Sequence, residues 1–264
     1  MAQLLSLGDF AHKSIVAIKQ HNQDGLTMIE LMVVIAIIGI LAALLLTTIS
    51  QAKTKAQRIQ CANNLHQLGL GLQVFLSNNK GYPSAYQNTN EDYPGFWGLQ
   101  LEIGGLGISN PETNFYYKGI WLCPTAQEQI RAATEQINLP ADEIDSYGYN
   151  AYGVGGNFTN SPGLLGHLIP PHFGFAGIGE SEVFAPSEMM AIGDSLNGSS
   201  YFGRWPHLAH SKTPPSRHQG KANVVFCDGH VESPTIQFLF EDTSDYALSR
   251  WNRDHLPHRD RLLQ

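Results

Sequence analysis

Residues Gly25–Ile49 read GLTMIELMVVIAIIGILAALLLTTI, and the reading of this stretch decides the fold. It is apolar almost throughout, with a single acid, Glu30, near its start. No charged residue occurs from Leu31 to Ala52, a run that reaches the ~20 residues a helix needs to cross the hydrocarbon core of a bilayer. A carboxylate at the mouth of such a run is costly and asks for a partner. A secretory signal peptide has a shorter apolar part that ends at a small-residue cleavage site. Here the small residue, Gly25, comes first and the apolar run follows it.

On those residues the segment resembles the prepilin-type cleavage and methylation segment of type IV pilins and type II secretion pseudopilins. That pattern is a Gly, a hydrophobic residue, a Glu five positions after the cut, and a long apolar helix. Leu26 stands where the family usually has Phe, and Asp24 where a basic residue is common. The resemblance implies cleavage after Gly25 by a prepilin peptidase, N-methylation of Leu26, and assembly positions at Thr27 and Glu30. The chemistry fits. Cutting creates an α-amino group on Leu26, four residues before Glu30 and so on the same helical face. Two charges that are each expensive in lipid then neutralise one another, within a subunit or between neighbours.

The chain outward from this stretch has 264 residues, a net charge of -7 and 15% charged residues, with 26 Gly and 14 Pro. The acidic balance implies no general affinity for nucleic acid or anionic lipid. The Gly and Pro content points to a loop-rich domain containing strands rather than to a helical bundle. Residues 1–25 read as a leader. Lys13 and Lys19 make it mildly basic, but Asp9 and Asp24 cancel them, and Lys53, Lys55 and Arg58 follow the apolar run. The positive-inside rule therefore leans against a cytoplasmic leader. It is the resemblance that places the leader on the cytoplasmic side of the inner membrane and the C-terminal domain in the periplasm or beyond.

The helix should continue past the membrane. Ala52, Ala56, Ile59, Leu65, Leu68, Leu72 and Phe75 recur at three- and four-residue steps, which predicts one packing face. Gly69 and Gly71 each weaken a helix by about 1 kcal/mol relative to Ala, and Asn78-Asn79-Lys80-Gly81 ends it. Division of the chain follows: leader 1–25, membrane half of the helix 26–50, amphipathic half 51–80, exported globular domain 81–264.

In that domain the pattern predicts loops and a short helix near 95–102, then a short strand over residues 119–124 (GIWLCP) ended by its proline. A helix over 125–138 capped by Thr125 follows. Strands are expected at Ser146–Asn150, at Met189–Gly193 ending on Asp194, at Ala222–Cys227, and at His230–Ser233 after an Asp228-Gly229 hairpin turn. The tail 249–264 is polar and reads as loosely packed. The Gly-rich loop 153–166 has no phosphate-binding spacing. The fold class is α+β: one long N-terminal helix carrying a small antiparallel sheet with long loops.

A second signature lies at 218–229. His218, nine residues, then Asp228-Gly229 (within RHQGKANVVFCDGHV) resembles the C-terminal H-x9-DG element of a large bacterial set of pilin-like proteins. SYGYN, PSEMMAIGDS and RWNRDHLPH resemble further stretches of the same set. An extended strand would hold His218 and Asp228 about 30 Å apart, so they meet only if the segment before the strand folds back. The plain reading is that Asp228 serves the turn and His218 bonds a neighbouring loop. The sharper one is a metal site. Six of the eleven histidines fall after residue 200, and Asp194 and Asp228 add oxygen ligands to His218. Imidazole with carboxylate suits zinc, and carboxylate with loop carbonyls suits calcium.

The cysteines are Cys61, Cys123 and Cys227. An oxidising compartment permits one bridge. Cys61 and Cys123 resemble recurrent family cysteines, which implies a Cys61–Cys123 disulfide, while Cys227 ends an apolar strand and reads as a small buried residue.

Catalysis finds no support in motif. His218 with Asp228 or Asp194 and Ser195 or Ser216 lacks a G-x-S-x-G elbow. Loop aromatics Trp97, Tyr116, Tyr117 and Trp205 suggest either packing or a carbohydrate or peptide surface. The resemblance implies a pseudopilin or minor pilin. Its partners would be prepilin peptidase, other pilin or pseudopilin subunits, an inner-membrane assembly platform and membrane lipid. The alternative is a membrane-anchored binding protein that never polymerises. Mass spectrometry of the mature protein is expected to give a methylated N-terminus at Leu26; an intact Met1 overturns the processing reading.

Overall fold

The computed structural model describes residues 27–87, 95–109, 118–126, 145–169, 174–195, 201–204 and 217–262. The leader and the processing pair Gly25 and Leu26 lie outside them, as do Tyr116, Tyr117, Trp205, His207, His210 and Ser216. The chain forms two compact units, Met1–Ile49 and Ser50–Gln264.

Helix α1 (Met28–Asn79) begins at the expected place and ends where Lys80 turns left-handed, at φ 56. In the first unit its apolar side chains are exposed throughout; Leu31, Ile38 and Leu46 are 51%, 59% and 70% accessible. Exposed leucine and isoleucine in such a run need a nonaqueous neighbour, and the helix is long and apolar enough to cross a membrane.

In the second unit the buried face of α1 runs through Cys61, Leu65, Leu68, Leu72, Phe75 and Leu76. It starts later than the periodicity suggests, since Ala52 and Ala56 are exposed and Ile59 is 53% accessible. The face lies on a four-stranded antiparallel sheet. Strands β1 (Tyr86–Gln87) and β2 (Gly95–Phe96) form a separate small hairpin that leads into helix α2 (Trp97–Gly104). The main sheet comprises β3 (Tyr147–Tyr149), β6 (Met190–Asp194), β7 (Val224–Phe226) and β8 (Val231–Glu232), in that spatial order. Between β3 and β6 in the chain lies the pair β4 (His167–Leu168) and β5 (Phe175–Ala176), exposed except at Phe175.

Successive side chains of β7 alternate between two cores, as a strand's pleat requires. Val225 and Cys227 join the cluster built on Leu65, Leu68 and Leu72; Val224 and Phe226 join Leu239, Leu248 and Trp251 on the other face. Because both faces are covered, the strand reads as an unbroken apolar run rather than an alternating one. The second face is covered by helices α3 (Ile236–Phe240) and α4 (Asp245–Ser249). Each is capped by a hydroxyl, Thr235 receiving Phe238 N–H and Ser244 receiving Ala247 N–H.

Three expectations are corrected. The start of the tail is core: Trp251 and Asn252 are fully buried, while residues 253–262 are partly or fully exposed. The Asn252 side chain accepts from Val154 N at 2.9 Å and donates to Leu248 O at 3.1 Å and Leu256 O at 2.6 Å. A polar residue that satisfies buried backbone is invisible to hydropathy. Second, GIWLCP is not a strand. Gly119–Trp121 is a 3-10 turn entered at Gly119, φ 55, with Leu122 N bonded to Gly119 O. Third, helix begins at Pro124, so Thr125 lies inside the first turn and is not its cap; residues 127–138 lie outside the described residues. Trp97 is likewise a core residue, stacked on Tyr149 with ring centroids 5.1 Å apart.

The two helix glycines have packing reasons. A Cβ at Gly69 would sit 2.7 Å from Gly229 O and 3.2 Å from Val225 Cγ1, and Gly71 faces the end of α2, where Leu106 approaches to 2.8 Å. Gly69 thus lets the β7–β8 turn touch the helix backbone. In an open helix Gly→Ala gains about 1 kcal/mol. Here overpacking against backbone outweighs that gain, so Gly69→Ala is expected to destabilise the full chain in detergent by about 1–3 kcal/mol. Thermal unfolding monitored by circular dichroism reads it as a fall of several degrees in Tm; an unchanged or raised Tm contradicts the close approach.

Candidate functional site

Two places gather the sequence-predicted residues. The first is the start of α1. Thr27 Oγ1 accepts from Glu30 N at 3.3 Å, while the Glu30 carboxylate accepts from Thr27 N and from Thr27 Oγ1, each at 2.9 Å. This is a capping box, with Thr27 as N-cap and Glu30 three residues on. The acid at the mouth of the apolar run has partners in the uncut chain. The residue that provides them, Thr27, is the other proposed assembly position.

The second is a buried cluster in the globular unit. A disulfide joins Cys61, on the buried face of α1, to Cys123, which follows the Gly119–Trp121 turn; their Cα atoms are 5.0 Å apart and the sequence separation is 62. In the chain-entropy description a loop of that size contributes about 4 kcal/mol. Asn64, one turn along the helix, donates to Leu122 O at 2.9 Å and fixes the second cysteine's backbone. Tyr147 OH, from β3, donates to Cys61 O at 3.3 Å.

His218 arrives at the same point from the opposite direction. It sits in a 3-10 turn over Arg217–Gln219 with φ 50 and ψ 35, and Gln219 and Gly220 follow at φ 60 and 80. Non-glycine residues in this region carry a cost of about 1–2 kcal/mol, met here by the contacts of the inward ring. His218 Nε2 lies 3.1 Å from Asp194 Oδ2, with neither side chain exposed. The same nitrogen is 3.6 Å from Cys123 Sγ and 3.4 Å from Thr125 Oγ1. Asp194, at the end of β6, accepts from Asn223 N at 2.7 Å.

The two ends of the H-x9-DG element are therefore engaged apart. His218 pairs with Asp194, whereas Asp228 makes the turn. Its Oδ1 accepts from His230 N at 3.1 Å and lies 2.6 Å from His230 Nδ1, and Gly229 takes φ 90. Asp228 thus shares no ligand set with His218 and Asp194. From the sequence, Asp194 and Asp228 stood as equal candidates for a partner of His218, and the structure pairs His218 with Asp194. The one available signal was a lone aspartate closing the apolar strand MMAIG. Thr125, read as a cap, instead turns its hydroxyl to Cys123 Sγ at 3.0 Å.

Comparison with known proteins places these features. A model described as the prokaryotic N-terminal methylation motif matches residues 20–46. It spans the capping box and the first part of the apolar run. The N-terminal segment carries the methylation motif that this model describes. A second model, described as a protein of unknown function (DUF1559), matches residues 50–157. Among curated proteins the chain is similar to type II secretion system core protein G of Klebsiella michiganensis, 34% identical over 98 residues, 37% of this chain and 61% of the relative. The protein of the same description from Pectobacterium carotovorum is 36% identical over 67 residues, 25% of this chain and 43% of the relative. That from Escherichia coli K12 is 35% identical over 66 residues, 25% and 46%. The chain thus spans about half the length of the curated relatives it matches. No solved structure matches it.

The turn that delivers Cys123 is anchored by Trp121, whose indole N–H donates to the buried Glu102 carboxylate of α2. Burial raises the Glu102 carboxyl above its ordinary 4.5, and the indole bond opposes the rise. A carboxyl raised in the folded state favours folding below its unfolded value, and stability declines as pH rises from 4.5 to the raised value. Trp121→Phe removes the opposing donor. The variant is expected to extend that declining window upward and to lose about 1–3 kcal/mol at neutral pH, with a smaller loss below pH 4.5. Denaturant unfolding as a function of pH checks it; a loss independent of pH contradicts the assignment.

Proposed function

We propose that this chain is a pseudopilin or minor-pilin subunit of a type II secretion or type IV pilus-like filament, with a structural rather than catalytic role. The observation that carries the reading is the apolar helix over Met28–Ile49, exposed along its length and opened by the Thr27–Glu30 capping box. Such a surface suits first a bilayer and then the apolar helices of neighbouring subunits.

In this reading residues 1–25 face the cytoplasm, the helix anchors the chain in the inner membrane, and the unit from residue 50 onward lies outside. A prepilin peptidase cuts after Gly25 and Leu26 is methylated. Glu30 then exchanges the Thr27 donors for an α-amino group, its own or that of an adjacent subunit. The desolvated pair sets axial register, because an uncompensated carboxylate in an apolar bundle is strongly disfavoured. An assembly platform and other subunits complete the partner set. What supports the reading is the methylation motif and the similarity to core protein G over residues shared with it.

Glu30→Gln keeps the size and much of the capping ability of the side chain but not its charge. It should insert in the membrane at the parent level while sheared-filament yield falls at least about tenfold, the equivalent of about 1.4 kcal/mol per subunit. Normal insertion, no filament from either protein and undiminished ligand capture would instead point to the anchored binding protein that never polymerises.

A further inference from the structure

Four ligand-type side chains from four separate segments meet in the buried cluster: Cys61 on α1, Cys123 after the 3-10 turn, Asp194 at the end of β6 and His218 in the left-handed turn. The first three are 0% exposed and His218 is 3% exposed. The ligand atoms of Cys61, Cys123 and His218 all lie within 4.8 Å of one another. Asp194 Oδ2 adds a fourth at 3.1 Å from His218 Nε2.

Their spacing has a chemical meaning. A tetrahedral zinc with ordinary bond lengths holds adjacent N and O ligands about 3.3 Å apart and adjacent N and S ligands about 3.6 Å apart. The observed edges are 3.1 Å from Nε2 to Oδ2 and 3.6 Å from Nε2 to Cys123 Sγ. Two of the six edges thus lie near zinc spacing, and a zinc site would open the sulfur–sulfur edge, which the disulfide holds closed, to about 3.8 Å. In addition, Asp194 Oδ1 and His218 Nδ1 are buried without a hydrogen-bond partner among the described residues. They are not the atoms of the Nε2–Oδ2 pair, and a carboxylate with an imidazole beside two sulfurs is a donor set that a cation satisfies.

We propose that in the dithiol state Cys61, Cys123, His218 and Asp194 bind one zinc-class divalent cation as a two-sulfur, one-nitrogen, one-oxygen site, and that closing the disulfide expels it. A dithiol reductant donates two electrons and two protons to the Cys61–Cys123 bond and itself becomes a disulfide. The two thiols then release two protons as the cation binds. A disulfide oxidant runs the sequence backwards, taking two electrons as the sulfurs rejoin and the cation leaves. Thiolate ligands select zinc over calcium. Cys227 takes no part: it is buried elsewhere in the core, and burial pushes its thiol up, so it stays protonated. All four ligands lie in the unit from residue 50 onward, and the reading stands or falls independently of filament assembly.

The test uses the full chain in detergent, carrying Cys227→Ser so that only the cluster supplies thiols. The protein is reduced anaerobically with a phosphine, desalted, and titrated with zinc or cobalt(II). Near-UV circular dichroism reports folding throughout. The expected result is one zinc retained per reduced chain, thiolate-to-cobalt charge-transfer and tetrahedral d–d bands, and at least tenfold weaker binding by the oxidised chain. His218→Asn and Asp194→Asn, in the reduced state, should each weaken binding about 10- to 100-fold. If reduction loosens the domain, zinc should restore its near-UV signal, since metal binding is then linked to folding. A reduced, folded chain that takes up neither metal overturns the proposal. So does a reduced, loosened chain that zinc fails to refold, or an oxidised chain that binds as tightly as the reduced one.

Discussion

The fold of the globular unit depends on one close approach, that of the α1 backbone at Gly69 to the Asp228-Gly229 turn. The missing side chain lets the sheet settle against the helix at backbone distance, where Gln73 donates to Cys227 O at 2.7 Å. Leu65, Leu68 and Leu72 can then reach Ile192 and Val225, and the tyrosines of β3 close over the helix. A helix that loses about 1 kcal/mol of intrinsic preference at each glycine gains a contact surface that a leucine in the same place would hold off.

From that contact the rest of the unit can be followed in layers. The strands β6 and β7 are covered on both sides. Their far face is sealed by Phe226, over which the Arg250 guanidinium lies at 4.5 Å from the ring centre. Arg250 is itself nearly buried, and Glu232 meets it at 3.0 Å. A cation placed between aromatic faces and a carboxylate is how an arginine is accommodated inside without being left unpaired.

Much of this was legible in the sequence where periodicity carried it. The helix, the strand ending on Asp194, the strand ending on Cys227 and the hairpin turn that follows it come from apolar spacing and from one Asp-Gly pair. Legibility failed where the deciding interaction was a polar group serving distant backbone. Asn252 and Asn150 look like surface residues in the chain, yet the Asn150 amide donates to Met190 O at 2.7 Å and Trp251 O at 2.8 Å. It failed again at GIWLCP, whose composition suits a strand while Gly119 starts a tight turn. The disulfide pairing rested on resemblance, and the Asp194–His218 pair had no local signal, since the two residues are far apart in the chain and only the fold brings them together.

Asn150 and Asn252 also bear on the order in which the unit can form. The backbone N–H groups of Val154 and Met190 are satisfied by Asn252 Oδ1 and Arg250 O, and Trp251 O is the acceptor for the Asn150 amide, so these bonds wait for residues 250–252. During synthesis, or during passage through a membrane pore from the N-terminal side, the helix and the first three strands of the sheet emerge well before those groups do. Until then the second face of the sheet, with Met190, Val224 and Phe226, stays uncovered and sticky. The chain therefore needs either speed or a protective companion in that interval, and closure is a late event controlled by its final stretch.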